Sequence, residues 1–191
     1  MFKYIIQLIR SFIPLIFTCP FLFGLSACSS NSNPVIYYNN FHFTEVKNYS
    51  FYTSGSTFFD SQSLNYAQRN RVELAIEKSL NAQEFTYSEL KQADIIVTYH
   101  LVRKNKKDYQ AYNKAIRFCA HCLKANAWKK GNDDWQVYPG GLIIDLINPK
   151  NNRSVWRSIY PLNYDVKDNS KELNEKIMEA VNVMLSQYPR E

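Results

Sequence analysis

Apolar residues recur near the end of the chain at Leu173, Ile177, Val181, Met184 and Tyr188, with spacings of 4, 4, 3 and 4. One helix face has that spacing, so a helix is predicted over 170–188. Asn169 with Glu172 three residues on resembles a capping box at its start, and Pro189 stops it. A second stripe, Val72, Ile76 and Leu80 with Ala75 beside it, predicts a helix over 64–80, with Ser61 or Ser63 as cap. Residues 94–103 alternate instead: Ile95, Val97, Tyr99 and Leu101 against Ile96, Thr98, His100 and Val102. Both sets are largely apolar, as in a strand covered on both faces. Residues 141–148 and 153–162 predict two more strands around a Pro149-Lys150-Asn151-Asn152 turn. Residues 35–52 read as one or two strands and 53–63, rich in Ser, Thr and Gly, as a loop. The predicted order β–α–β–β–β–α gives an α+β domain: a mainly antiparallel sheet with two helices packed on one face.

The first 27 residues follow another pattern. Residues 1–10 carry Lys3 and Arg10 and no acid, and residues 11–27 are apolar but broken by Pro14 and Pro20. Seventeen residues fall short of the ~20 a membrane span needs. A basic start, an apolar middle and a small-residue end describe a secretory signal peptide. The exit, Leu25-Ser26-Ala27-Cys28, resembles the lipobox of bacterial lipoproteins. There a diacylglyceryl group alkylates the thiolate, and small residues before it let the peptidase grip the backbone. The resemblance implies cleavage before Cys28 and an acylated amino terminus; two or more acyl chains anchor a protein practically permanently. Ser29, a non-Asp residue, implies transfer to the outer membrane. The expected organisation is a signal peptide at 1–27, an acylated tether at 28–34 and a single periplasmic domain at 35–188.

Three further stretches resemble the bacterial lipoprotein family called domain of unknown function 4136. They are Tyr49-Ser50-Phe51-Tyr52; Ala93-Asp94-Ile95-Ile96-Val97-Thr98-Tyr99; and Gly141-Leu142-Ile143-Ile144-Asp145 followed by Val155-Trp156-Arg157. The third is the most specific. Ser158 stands where the family has Gly, Asn148 where an acid is common, and Gln83-Glu84 where a Gly-aromatic pair follows the first helix. The resemblance implies the fold and the location, and no catalytic group.

Composition narrows the classes further. The chain has 191 residues, is 46% hydrophobic and carries 14 Tyr, which excludes a disordered or low-complexity class. A polytopic membrane protein is excluded because only one long apolar stretch exists. The formal net charge of +6 is unevenly placed. Residues 103–130 hold nine Lys and Arg and one acid, Asp108, so this basic excursion is +8, while the rest of the chain after Ala27 is −4. Its candidate anionic-surface residues are Lys104, Lys106, Lys107, Lys114, Arg117, Lys124, Lys129 and Lys130, interleaved with Tyr109, Tyr112, Phe118 and Trp128. Phosphates attract such cations while aromatic rings sit at an interface, so the expected partners are an anionic lipid or an envelope protein. The competing reading is a solvated excursion between two strands. Nucleic acid is excluded by the compartment.

The richest chemistry in the sequence is Cys119-Ala120-His121-Cys122. Three readings stand: a local disulfide, expected in an oxidising envelope; a redox-active pair tuned by His121; and a metal site, which lacks a second close pair of ligands. Asp145 and Arg157 are both odd-numbered. An even register around the turn places them opposite each other on one sheet face, a candidate structural ion pair, with Trp156 packing on the other face. Catalytic patterns are missing from the sequence: no Gly-x-Ser-x-Gly, phosphate-binding Gly loop or His-Glu-x-x-His occurs. His100 reads as a packed or edge residue, and Asp94, at a strand entrance, as a ligand for a turn amide. No metal or cofactor is expected. The expected function is a lipid-anchored binding or scaffolding module, not an enzyme. The rival is an envelope enzyme, either a thiol–disulfide oxidoreductase through Cys119 and Cys122 or an unrecognised hydrolase.

Overall fold

Strand β4 (Ile95–Leu101) is buried at every position, and the fold is organised around it. In the computed structural model, which describes residues 35–38, 40–52, 64–102, 106–119, 140–162 and 170–190, six strands form one sheet in the order β1-β6-β5-β4-β2-β3. The other strands are β1 (Val35–Tyr37), β2 (Asn48–Phe51), β3 (Thr86–Tyr87), β5 (Gly141–Asn148) and β6 (Arg153–Pro161). The helices are α1 (Tyr66–Asn81), α2 (Lys106–Ala115) and α3 (Ser170–Leu185). The described residues all belong to one compact unit, Asn33–Glu191. The signal peptide and tether lie outside the described residues, as do the Ser61, Ser63 and Asn169 caps.

The sheet is mixed: the mainly antiparallel expectation holds for three of its five strand pairs and fails for the two that β2 makes. β4, β5, β6 and β1 pair antiparallel, but β2 runs parallel to both β3 and β4. The cause is the connection: α1 carries the chain from β2 to β4, and a helical crossover returns a strand in the same direction. α1 starts two residues later than expected, at Tyr66, on a capping box. The Gln68 backbone N–H donates to Asn65 Oδ1 at 2.9 Å, and the Asn65 N–H donates to Gln68 Oε1 at 3.1 Å.

The two faces of β4 meet different partners. Ile95, Val97, Tyr99 and Leu101 share one apolar cluster with Val72, Ile76 and Leu80 of α1 and with Ile177, Val181 and Met184 of α3. Trp156, fully buried, belongs to that cluster. Ile96 and Val102 share the second cluster with Ile143, Ile147, Ile159, Tyr112 and Ile116. Tyr112 lies on α2 and Ile116 just after it, so a third helix covers the second face. The basic excursion is therefore partly an element with a buried side, contrary to the two-helix expectation. Burying each such aliphatic side chain contributes roughly 1.5–3 kcal/mol.

Both of the first two helices end on a left-handed residue. Glu84 has φ 68°, the Glu84 N–H bonds Asn81 O at 3.0 Å, and the Phe85 N–H bonds Leu80 O at 3.1 Å. This Schellman arrangement favours Gly at position 84, with Phe85, which is buried, as the aromatic that follows. Glu84→Gly is expected to raise stability by about 1 kcal/mol, since L-residues pay about that to occupy this conformation. A urea midpoint that stays fixed or falls would refute this.

Candidate functional site

The second sheet face carries charge at its centre. Asp145 of β5 and Arg157 of β6 are direct register partners, and both are 0% exposed. Arg157 Nε donates to Asp145 Oδ1 at 2.9 Å and Nη2 donates to Oδ2 at 3.0 Å, a two-pronged pair. The carboxylate also accepts from Tyr112 Oη at 2.7 Å and from Ser154 Oγ at 2.6 Å. Ser154 reaches it because of a bulge. The register moves from Leu146–Trp156 to Ile147–Ser154, so one extra residue on β6 brings Ser154 to the face of Arg157.

α2 closes this cluster from above. Its inward positions Tyr109, Tyr112, Asn113 and then Ile116 follow one helix face. Arg157 Nη1 donates to Asn113 Oδ1 at 2.9 Å and to Tyr109 Oη at 3.2 Å. Arg117, at φ 49°, ends the helix: the Arg117 N–H bonds Lys114 O at 3.2 Å and the Phe118 N–H bonds Asn113 O at 2.9 Å. That turn sets the Phe118 ring 3.4 Å from the guanidinium carbon of Arg157. The His100 ring stacks on Tyr112, with centroids 4.5 Å apart. Burial disfavours the charge on Arg157, but the Asp145 carboxylate, with Tyr112 and Tyr109, outweighs it and the net pKa shift is upward. Burial, then the charge of Asp145, raises Tyr112 well above its ordinary value. The cluster is a closed, satisfied network rather than an open pocket.

Among the described residues an open cleft of about 310 Å³ lies at one end of the sheet, bordered by Phe41, His42, Glu45, Asp94, Asn148 and Lys150, among others. Asp94 Oδ2 accepts the Lys47 and Asn48 N–H groups at 3.0 and 2.8 Å, tying the entrance of β2 to that of β4. Among the described residues no His, Cys, Asp and Glu are grouped so as to hold a metal ion.

Residues 35–190 match the family model described as Domain of unknown function (DUF4136). The chain belongs to this family. Its fold is similar to a DUF4136 family protein from Bacteroides thetaiotaomicron, at 13% identity and TM-score 0.50, covering 84% of this chain and 97% of that one. A PDZ domain protein from Parabacteroides distasonis aligns at 16% identity and TM-score 0.41, over 76% of this chain and 32% of that one. A PelC dodecamer from Paraburkholderia phytofirmans aligns at 11% identity and TM-score 0.36, over 73% and 85%. No curated protein matches the chain.

The DUF4136 fold places the sequence-derived candidates unequally. Asp145 and Arg157 are brought together, and far more deeply than a surface sheet pair. Cys119 is half-buried and disulfide-bonded; Cys122 lies outside the described residues. Lys114 and Arg117 are exposed on α2 and its end. Lys106 and Lys107 lie on α2, with only their backbone described; Lys104, Lys124, Lys129 and Lys130, like Cys28, lie outside the described residues. Asp94 binds the backbone amides of Lys47 and Asn48 at the entrance of β2 rather than a turn amide, and His100 is packed. Sequence reasoning missed Tyr109, Tyr112, Asn113 and Ser154 as partners of the pair. The first three carry an i, i+3, i+4 signal that the charge count overshadowed.

Proposed function

We propose that this DUF4136 chain is an outer-membrane lipoprotein, anchored through an acylated Cys28, whose periplasmic domain is a binding or scaffolding module. The observation that carries the reading is Leu25-Ser26-Ala27-Cys28, behind a basic and then apolar leader and seven residues before β1. A disulfide at Cys119 fits an oxidising compartment. Among the described residues no helix is long and apolar enough to cross a membrane. Asp145 and Arg157, the fully buried charged pair among the described residues, are hydrogen-bonded to each other and to α2, which suits a rigid module better than a reactive centre.

Metabolic labelling with a palmitate analogue tests the anchor. The wild-type chain is expected to take up label and to lose residues 1–27, as read by intact mass, while Cys28→Ala takes up none. An unlabelled mature chain starting elsewhere would overturn the anchor. Crosslinking in intact envelopes tests the module: one stoichiometric partner is expected, and recovery of none counts against scaffolding.

A further inference from the structure

We infer that the corner where α2 meets the β5–β6 turn is a docking surface for anionic phospholipid headgroups. Four exposed cations gather there from two segments: Lys114 and Arg117 from the end of α2, Lys150 and Arg153 from the hairpin. Two contacts fix the segments together. The Ser154 N–H donates to Ile116 O at 3.2 Å, and Arg117 Nη1 donates to Asn151 O at 3.4 Å. Among the described residues none of the four cations is in an ion pair. Residues 109–119 and 146–157 contain no acid at all. Among the described residues, the acids Glu45 and Asp94 border the cleft that Lys150 also borders. By contrast, α1 and α3 mix both signs along their length.

The chemistry favours an array of phosphates over a single small anion. The cations are exposed and come from two segments rather than lining one cavity together; of the four, Lys150 alone borders the described cleft. A membrane is favoured over an acidic protein by the tether, a step that rests on the proposed acylation of Cys28. The seven residues 28–34 reach at most about 25 Å when fully extended, so an anchored domain stays beside its leaflet. Surface cations near anionic lipid each strengthen attachment about fivefold, and salt screens them.

The test uses the unit Asn33–Glu191, which holds every described core residue and carries no Cys28. It is mixed with phosphatidylcholine vesicles with or without 30 mol% phosphatidylglycerol and sedimented (a composition of order that of anionic leaflets). Binding is expected only to the anionic vesicles, and to fall more than tenfold at high salt. The variant K114Q/R117Q/K150Q/R153Q, checked for native circular dichroism, is expected to bind more than a hundredfold more weakly. A control variant that removes two cations from α1 on the other face, R71Q/K78Q, is expected to bind like wild type. Equal binding to neutral vesicles, no binding to either, or an unaffected quadruple variant would each overturn the inference. Because this unit is never acylated, such a failure is separate from a failed palmitate label on the full chain.

Discussion

Arg157→Met alone is expected to destabilise the domain by about 3–5 kcal/mol, because removing one partner of a buried ion pair strands the other. The stranded group is Asp145, which is 0% exposed. It would keep Tyr112 Oη and Ser154 Oγ as donors but lose every contact with a cation. Asp145→Leu strands Arg157 in the same way, leaving it the Tyr109 and Asn113 oxygens and the Phe118 face. For a domain stable by about 5–15 kcal/mol, either change moves the urea midpoint sharply and can unfold it at 37 °C. The double variant Asp145→Leu/Arg157→Met discriminates the mechanism. Replacing both charges with apolar groups removes the desolvation penalty, and comparable swaps are often neutral. The orphaned hydroxyls have fallbacks: Tyr112 Oη retains Thr98 Oγ1 at 3.2 Å, and Ser154 Oγ retains Trp156 O at 3.3 Å. The double variant is therefore expected to be more stable than either single one, with a coupling of about 2 kcal/mol or more. Strictly additive losses would show that the pair does not act as a unit.

The same cluster shows what the sequence carried and what it hid. The even register expected around the turn puts Asp145 opposite Arg157, but the turn itself runs in an odd register, Asn148–Arg153 and Ile147–Ser154, and only the bulge beyond it restores the even count. Parity could not place Ser154, since a bulge shifts the count and leaves no composition signal. Depth was hidden for another reason. The 103–130 segment is so basic that its charge dominated the reading, although Tyr109, Tyr112, Asn113 and Ile116 have helix-face spacing. Tyr and Asn are poor markers of a core face because they carry polar atoms. In this fold those atoms are needed, since they satisfy a buried guanidinium. The parallel β2–β4 pairing was legible in principle from the strand–helix–strand order, whereas the small neighbour β3, two residues long, had no pattern to find. β4 and α3 were the clearest elements, because burial on two faces or along one stripe writes directly into hydrophobic spacing.

Raising the pH above 10 is expected to unfold the domain cooperatively. Burial, with Glu77 and then Tyr87 adding charge repulsion, pushes the Tyr49 pKa up to about 12. Burial likewise raises Tyr99, helped by its hydrogen bond to Glu73, and raises Tyr112 and Tyr188. All four side chains are nearly inaccessible. The sign follows from proton counting. Above pH 10 the unfolded chain loses these phenolic protons while the folded chain keeps them, so deprotonation favours unfolding. Each such group removes about 1.4 kcal/mol of stability per pH unit, up to its own folded pKa. Four together remove about 5 kcal/mol per unit, enough to exhaust a typical domain within one to three units. Tyrosinate absorbance at 295 nm (the wavelength at which the ionised phenol is read) should rise in step with loss of far-ultraviolet circular dichroism. Tyr49→Phe should make the decline shallower below about pH 12. It should cost little at neutral pH, because among the described residues the buried Tyr49 hydroxyl has no hydrogen-bond partner. Full ionisation of the tyrosines with the helical signal intact would show that these hydroxyls reach water in the folded state. Alkaline unfolding that Tyr49→Phe left unchanged would assign the sensitivity to the other three.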